Sequence, residues 1–113
     1  MTILPDDPLG SGGIAVFAEA LRAGETSAKK AVRAYLDRIE VLEPKLNAYQ
    51  FVAYEQAEEA AEAIDKLLAS GIDLGPLMGV PIAIKDIYAV ENMPTTNGSL
   101  YDASEITGPE GRY

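Results

Sequence analysis

One lysine stands apart from every other basic residue. Between Lys66 and Arg112 the only Lys or Arg is Lys85, and it closes the apolar run Val80-Pro81-Ile82-Ala83-Ile84. An ammonium at the end of a buried strand loses water, and desolvation disfavours its charged form. A lysine held in this way can turn neutral near physiological pH and serve as a general base. The chain has no histidine and no cysteine. Ser-His-Asp and Cys-His arrangements, imidazole or thiolate zinc sites and disulfides are therefore excluded within it. Ser-Lys chemistry remains, because it needs neither residue type. Hydroxyls that could join such a site follow at Thr95, Thr96 and Ser99. Each feature also has a plainer reading. Lys85 could snorkel to solvent or pair with Asp86, and the three hydroxyls could serve a reverse turn at Asn97-Gly98. Residue context alone leaves both readings open.

The elements that must position these groups follow from periodicity. Residues 1–13 read as a flexible arm ending in Gly10-Ser11-Gly12-Gly13. A first helix fits Ile14 to Ala23, with Ile14, Phe17, Ala18 and Leu21 on one face and Gly24 at its end. A second opens after Thr26 or Ser27 and carries the stripe Ala31, Val32, Tyr35, Leu36, Ile39 and Leu42, and Pro44 is expected to stop it. Asn47 to Ala53 alternates weakly and predicts a short strand. A third helix is expected from about Tyr54 to Ser70. Its inner face is Ala57, Ala60, Ala61, Ile64, Leu67 and Leu68, and Glu55, Glu58, Glu59, Glu62 and Asp65 make a solvated acidic face. Gly75-Pro76-Leu77-Met78-Gly79 is a turn-rich connection. The run from Val80 to Ile84 predicts a buried strand, with Pro81 near its start where a missing N–H is tolerable. Tyr35, Tyr49, Phe51 and Tyr54 read as core rather than as a binding surface. Low periodicity continues from residue 88 to the terminal Gly108-Pro109-Glu110-Gly111-Arg112-Tyr113.

Composition narrows the partners. Eighteen Asp and Glu against nine Lys and Arg leave a net charge of −9 over 113 residues. That balance argues against nucleic acid and anionic membrane surfaces, which select basic patches. No run reaches the apolar length of a membrane span. The N-terminus has neither the basic nor the apolar region of an export signal. These features predict a cytoplasmic location. Asn97-Gly98-Ser99 matches a glycosylation acceptor, which that location would leave unused. No phosphate-binding Gly-rich loop with Lys-Ser/Thr is present.

The twelve residues Gly75-Pro76-Leu77-Met78-Gly79-Val80-Pro81-Ile82-Ala83-Ile84-Lys85-Asp86, followed by Met93-Pro94-Thr95-Thr96-Asn97-Gly98-Ser99, resemble the amidase signature family. Upstream, Ala34-Tyr35-Leu36-Asp37-Arg38-Ile39-Glu40 and Pro44-Lys45-Leu46-Asn47-Ala48 are similar to that family as well, so the resemblance covers roughly residues 14 to 100. It implies an α/β fold: a mixed sheet flanked by helices, of which this chain would supply the N-terminal helices and first strands. It also implies amide hydrolysis by a Ser-cisSer-Lys triad, with no metal or organic cofactor. The family's lysine falls on Lys85. Asp86 would lie beside it in a hydrogen-bonding, structural role, and Ser99 would support the site. In the family the two triad serines sit within and just after a Gly-Ser-rich segment well downstream of the lysine, and Gly10-Ser11-Gly12-Gly13 lies on the wrong side to be that segment.

The resemblance therefore implies the N-terminal portion of a single domain, carrying one of three triad residues and inactive alone. Its partners would be a small-molecule amide and either the remainder of the domain or a complementing chain. A homo-oligomer is compatible with this reading. One strand and three helices of a larger sheet would leave strand edges and an apolar face uncovered. Two alternatives remain: a non-catalytic helical interaction module, and a piece of a glutamine-dependent amidotransferase subunit from one branch of the family. The loop Met93–Ser99 is more similar to the general amidases than to that branch.

Overall fold

The computed structural model describes residues 3–100. The turn-rich terminal segment 108–113 lies outside them. Among these residues three helices form: α1 (Gly13–Arg22), α2 (Ala28–Leu46) and α3 (Tyr54–Ala69), with a short 3₁₀ turn at Gly10–Gly12. The chain divides into two compact units. One comprises residues up to 48 together with 54–81, and the other comprises 49–53 with the residues from 82 onward.

The helical unit is built on a small apolar core. Phe17 and Leu21 of α1 meet Ala31 of α2, and Leu9, Leu68 and Val80 pack around them. Burying a Phe or Leu side chain contributes roughly 1.5–3 kcal/mol. Ala28, Val32 and Leu36 are buried along the same stripe of α2. On α3 only Ala61 is fully buried, and Ala60, expected on the inner face, is exposed. Ile14 likewise sits outside the core, 42% exposed.

The helix ends show why the boundaries fall where they do. Ser27 caps α2 by accepting from Lys30 N at 3.0 Å. Asp65 reaches across from α3 and accepts from Ala28 N at 2.7 Å and Lys29 N at 3.0 Å. Three of the four free N–H groups of that terminus are thereby satisfied, beside a carboxylate that also suits the helix dipole. Both α1 and α3 close in the two-bond C-terminal motif. Glu25 N reaches Ala20 O and Gly24 N reaches Leu21 O; Ile72 N reaches Leu67 O and Gly71 N reaches Leu68 O.

Pro44 does not stop α2, which runs on to Leu46. The proline falls in the last turn, where its missing N–H removes one bond, toward the carbonyl of exposed Glu40. Asn47, at φ 51°, ends the helix instead, its N–H bonded to Glu43 O at 2.8 Å. The segment before α1 lies against α2: the Tyr35 hydroxyl donates to Asp7, and Arg38 Nη1 donates to Pro5 O at 2.6 Å.

The expected strands do not form. Among the described residues neither 47–53 nor 80–84 has strand pairing, so this stretch of chain is helical with loops rather than a mixed sheet. A strand exists only where a neighbour takes up its N–H and C=O groups, and Pro81 removes one of those donors. Nor is the apolar run buried. Ile82 is 77% exposed and Ile84 44%.

Candidate active site

The path into Lys85 starts in the helical unit. Gly79 is buried and has φ +91°; a Cβ there would stand 2.6 Å from Leu21 Cδ2 and 3.7 Å from both Ala28 Cβ and Ile64 Cγ2. The backbone at this point is wedged among side chains of all three helices, so only glycine satisfies both the space and the left-handed torsion. Upstream, Arg22 holds the connection from α3. Its Nε and Nη2 donate to the two carboxylate oxygens of Asp73 at 2.7 and 2.8 Å, and Nη2 also reaches Gly75 O at 2.7 Å. Asp73 accepts in addition from Gly75 N at 3.0 Å. The Arg22 hydrogen bonds, followed by the Gly75 N–H, lower the Asp73 carboxyl to about 2. Gly75 and Gly79 thus have a structural function: they tie the chain down ten and six residues before Lys85.

The remaining candidates lie within the second unit. Lys85 is exposed. The desolvated setting expected at the end of a buried strand is absent here, because the isoleucines before it are themselves open to water. Its backbone is held: Lys85 O accepts from Tyr88 N at 3.1 Å. Asp86 is bound to the segment ten residues on. Its Oδ1 accepts from Thr96 N at 2.8 Å, its Oδ2 accepts from the Thr96 hydroxyl, and its backbone carbonyl accepts from Asn97 N at 2.9 Å.

Thr96 to Ser99 forms a tight turn. Asn97 and Gly98 both have positive φ, 50° and 76°, and Ser99 N reaches Thr96 O at 2.9 Å. Positive φ at both central residues is the pattern that favours Asn-Gly. The Ser99 hydroxyl donates to the same carbonyl at 2.7 Å. Thr95, only 3% exposed, donates from its hydroxyl to Tyr88 O at 3.4 Å. The structure therefore joins Asp86 to Thr96 and Ser99 to Thr96, around the backbone that carries Lys85.

Sequence reasoning did not single out Gly79, Arg22, Asp73 or the Asp86–Thr96 pair. The Asp-Leu-Gly sequence at residues 73–75, in which a carboxylate turns back on the N–H two residues on, was a usable signal for Asp73. No comparable local signal marks Arg22, which lies 51 residues away.

The amidase family model matches residues 30–109, a span that includes Gly79, Lys85, Asp86 and Thr96. The chain belongs to the amidase signature family. Among its relatives, a glutamyl-tRNA(Gln) amidotransferase subunit of Thermobifida fusca is 48% identical over 80 residues, covering 71% of this chain and 16% of the relative. The 2-amino-5-chloromuconic acid deaminase of Comamonas testosteroni is 39% identical over 99 residues, covering 85% of the chain and 21% of that protein. Among solved structures, the peptide amidase of Stenotrophomonas maltophilia superposes with a TM-score of 0.80 at 30% identity, over 86% of this chain and 20% of that enzyme. The chain thus spans about a fifth of the length of these family members. Among the described residues, no helix is long and apolar enough to cross a membrane.

Proposed function

We propose that these residues are the N-terminal portion of an amidase-signature domain, and that the complete domain hydrolyses a carboxylic amide through a Ser-cisSer-Lys triad. The observation that carries this reading is the signature's Lys85-Asp86, six residues past the wedged Gly79 and tied by Asp86 to the Thr96 turn. Lys85 is the catalytic residue this chain contributes. Its Nζ takes a proton from a bridging serine, which takes one from the nucleophilic serine. That serine adds to the amide carbonyl, backbone N–H groups hold the oxyanion, and the amine leaves with the relayed proton. Water then releases the acid from the acyl-serine.

The remainder of the domain, or a complementing chain, supplies both serines. It also covers the apolar run from Val80 to Ile84, completes its pairing as a strand, and so desolvates Lys85. Ser99 and Asp86 support the site without touching the reacting atoms. No metal or organic cofactor takes part, and the enzyme works in the cytoplasm. A second reading is favoured by the 48% identity to an amidotransferase subunit. There the same triad would release ammonia from glutamine for transfer.

The test begins with the intact mass of the protein from its native source. A mass well above that of 113 residues identifies this chain as part of a complete amidase, and turnover is then measured on amides and on glutamine. Lys85→Ala in the complete protein lowers kcat by roughly 10⁴-fold or more while the circular dichroism spectrum stays native. Wild-type kcat in that variant sinks the assignment.

A further inference from the structure

We infer that Thr96 is a positioning residue for Lys85, acting through Asp86; this rests on the amidase reading above and adds a residue to its site. Lys85 is exposed, yet the backbone that follows its Cα is held at two points. Its own carbonyl accepts from Tyr88 N at 3.1 Å, and the next carbonyl, that of Asp86, accepts from Asn97 N at 2.9 Å. The held carbonyls of residues 85 and 86 fix two successive peptide planes, 85–86 and 86–87. The Lys85 Cα lies in the first of these planes, so the point from which its side chain leaves the backbone is held.

The second of these bonds would be weak if the 96–99 turn could drift. The Asp86 carboxylate prevents that drift by accepting from both the N–H and the hydroxyl of Thr96. Hydrogen bonds to an ionised acceptor are roughly twice as strong as neutral ones. The turn is closed on the other side by Ser99, whose N–H and hydroxyl both donate to Thr96 O. The segment from 86 to 96 is thus a loop with its two ends joined, packed inside by buried Ala89 and Thr95. Its joined ends lie immediately after the proposed general base.

The chemistry follows from what a base requires. Proton transfer needs heavy atoms about 2.6–3.2 Å apart, and Lys85 reaches its partner through four rotatable methylenes. A small tilt of the peptide that carries its Cα becomes a displacement of ångströms at Nζ. The clasp restrains that tilt before any substrate binds. Thr96 touches neither substrate nor serine in this scheme, so its loss should affect the rate rather than substrate affinity.

The test uses the complete amidase polypeptide and four variants. Thr96→Val keeps the shape and the N–H but removes the hydroxyl, and Thr96→Ser keeps both donors. Expected for Thr96→Val is a fall in kcat of about 10²-fold, the scale of an ångström misplacement, with KM within about twofold. Thr96→Ser restores most of the rate. Asp86→Asn, which keeps the shape but discharges the acceptor, gives an intermediate loss and serves if Thr96→Val does not fold. Lys85→Ala is the control. If Lys85→Ala retains turnover, the amidase reading fails. If Lys85→Ala is inactive while folded Thr96→Val and Asp86→Asn keep wild-type kcat, only the positioning role is overturned. A loss of kcat that Thr96→Ser does not restore, or one matched by an equal rise in KM, also overturns it.

Discussion

The helical unit has a buried apolar core, whereas in the unit that carries Lys85 the large apolar side chains among the described residues are largely open to water. Phe17 and Leu21 are 3% and 6% exposed, but Ile87 and Tyr88 are each 46% exposed. The first unit is organised by helix periodicity and shows its core in any view of the sequence. The second is organised by a carboxylate and a turn, with Asp86, Thr96 and the Asn97-Gly98 pair doing what a core does elsewhere. A segment held by polar bonds keeps its local geometry while leaving its apolar surface free for other parts of a domain. Lys85, the proposed general base, belongs to that second kind of segment. The largest expected effect in the molecule, abolition of turnover by Lys85→Ala, and the next, the kcat loss in Thr96→Val, both fall there.

Gly79 is where the helical unit hands the chain on, so it is the sharpest place to break the comparison. An alanine would put its Cβ against Leu21 and hold a left-handed torsion that L side chains rarely adopt. Strain of that kind costs roughly 1–3 kcal/mol, and overpacking adds a similar amount. Gly79→Ala should therefore destabilise the helical unit by about 3 kcal/mol in urea unfolding followed by circular dichroism. The polar clasp in the second unit should survive, read as retained hydrogen-exchange protection at Thr96 N. A loss below about 0.5 kcal/mol would show that the glycine is not wedged as described.

The pH dependence of the helical unit tests its polar tie. The Asp73 carboxyl is held at about 2, below its ordinary 3.8, chiefly by Arg22. A depressed carboxyl stabilises the fold fully above its unfolded value. That contribution is lost as pH falls from near 4 through about 2. Asp73→Asn removes this part of the acid sensitivity and flattens the unfolding midpoint over that window. Asp7 and Glu62 are also lowered, by Tyr35 and Lys29 first, so some acid sensitivity persists. An unchanged acid limb in Asp73→Asn would mean that the Arg22–Asp73 pair does not persist in solution.

How much of this was legible in the sequence depends on the range of the forces. The three helices were, because apolar spacing, a Ser cap and terminal glycines are all local. The effect of Pro44 was overread, since a proline in the last turn removes a single bond, and Ile14, Tyr49, Phe51, Tyr54 and Ala60, read as facing the core, are exposed. The motif around Lys85-Asp86 was legible as a family resemblance. The strands were not realised, because strand pairing depends on a neighbour and neither 47–53 nor 80–84 finds one among the described residues. The burial of Lys85 failed for the same reason. Asp65 capping α2 from α3, and Arg22 reaching Asp73, link residues far apart in sequence, so no local pattern announces them.

The smallest expected effect separates the two regions most cleanly. Ile82 lies two residues past Val80, which packs on the core, yet it is 77% exposed. In the 113-residue chain Ile82→Ser removes an apolar group that is already in water, so urea unfolding should shift by less than about 0.5 kcal/mol. In a complete amidase domain, where this run would be a covered strand, the same substitution should cost roughly 2–5 kcal/mol, as deleting a buried isoleucine does. The difference between the two measurements isolates what the rest of the domain contributes. Equal small effects in both settings would mean that the run from Val80 to Ile84 stays open even in the complete protein, and the desolvated lysine would then need another source of burial.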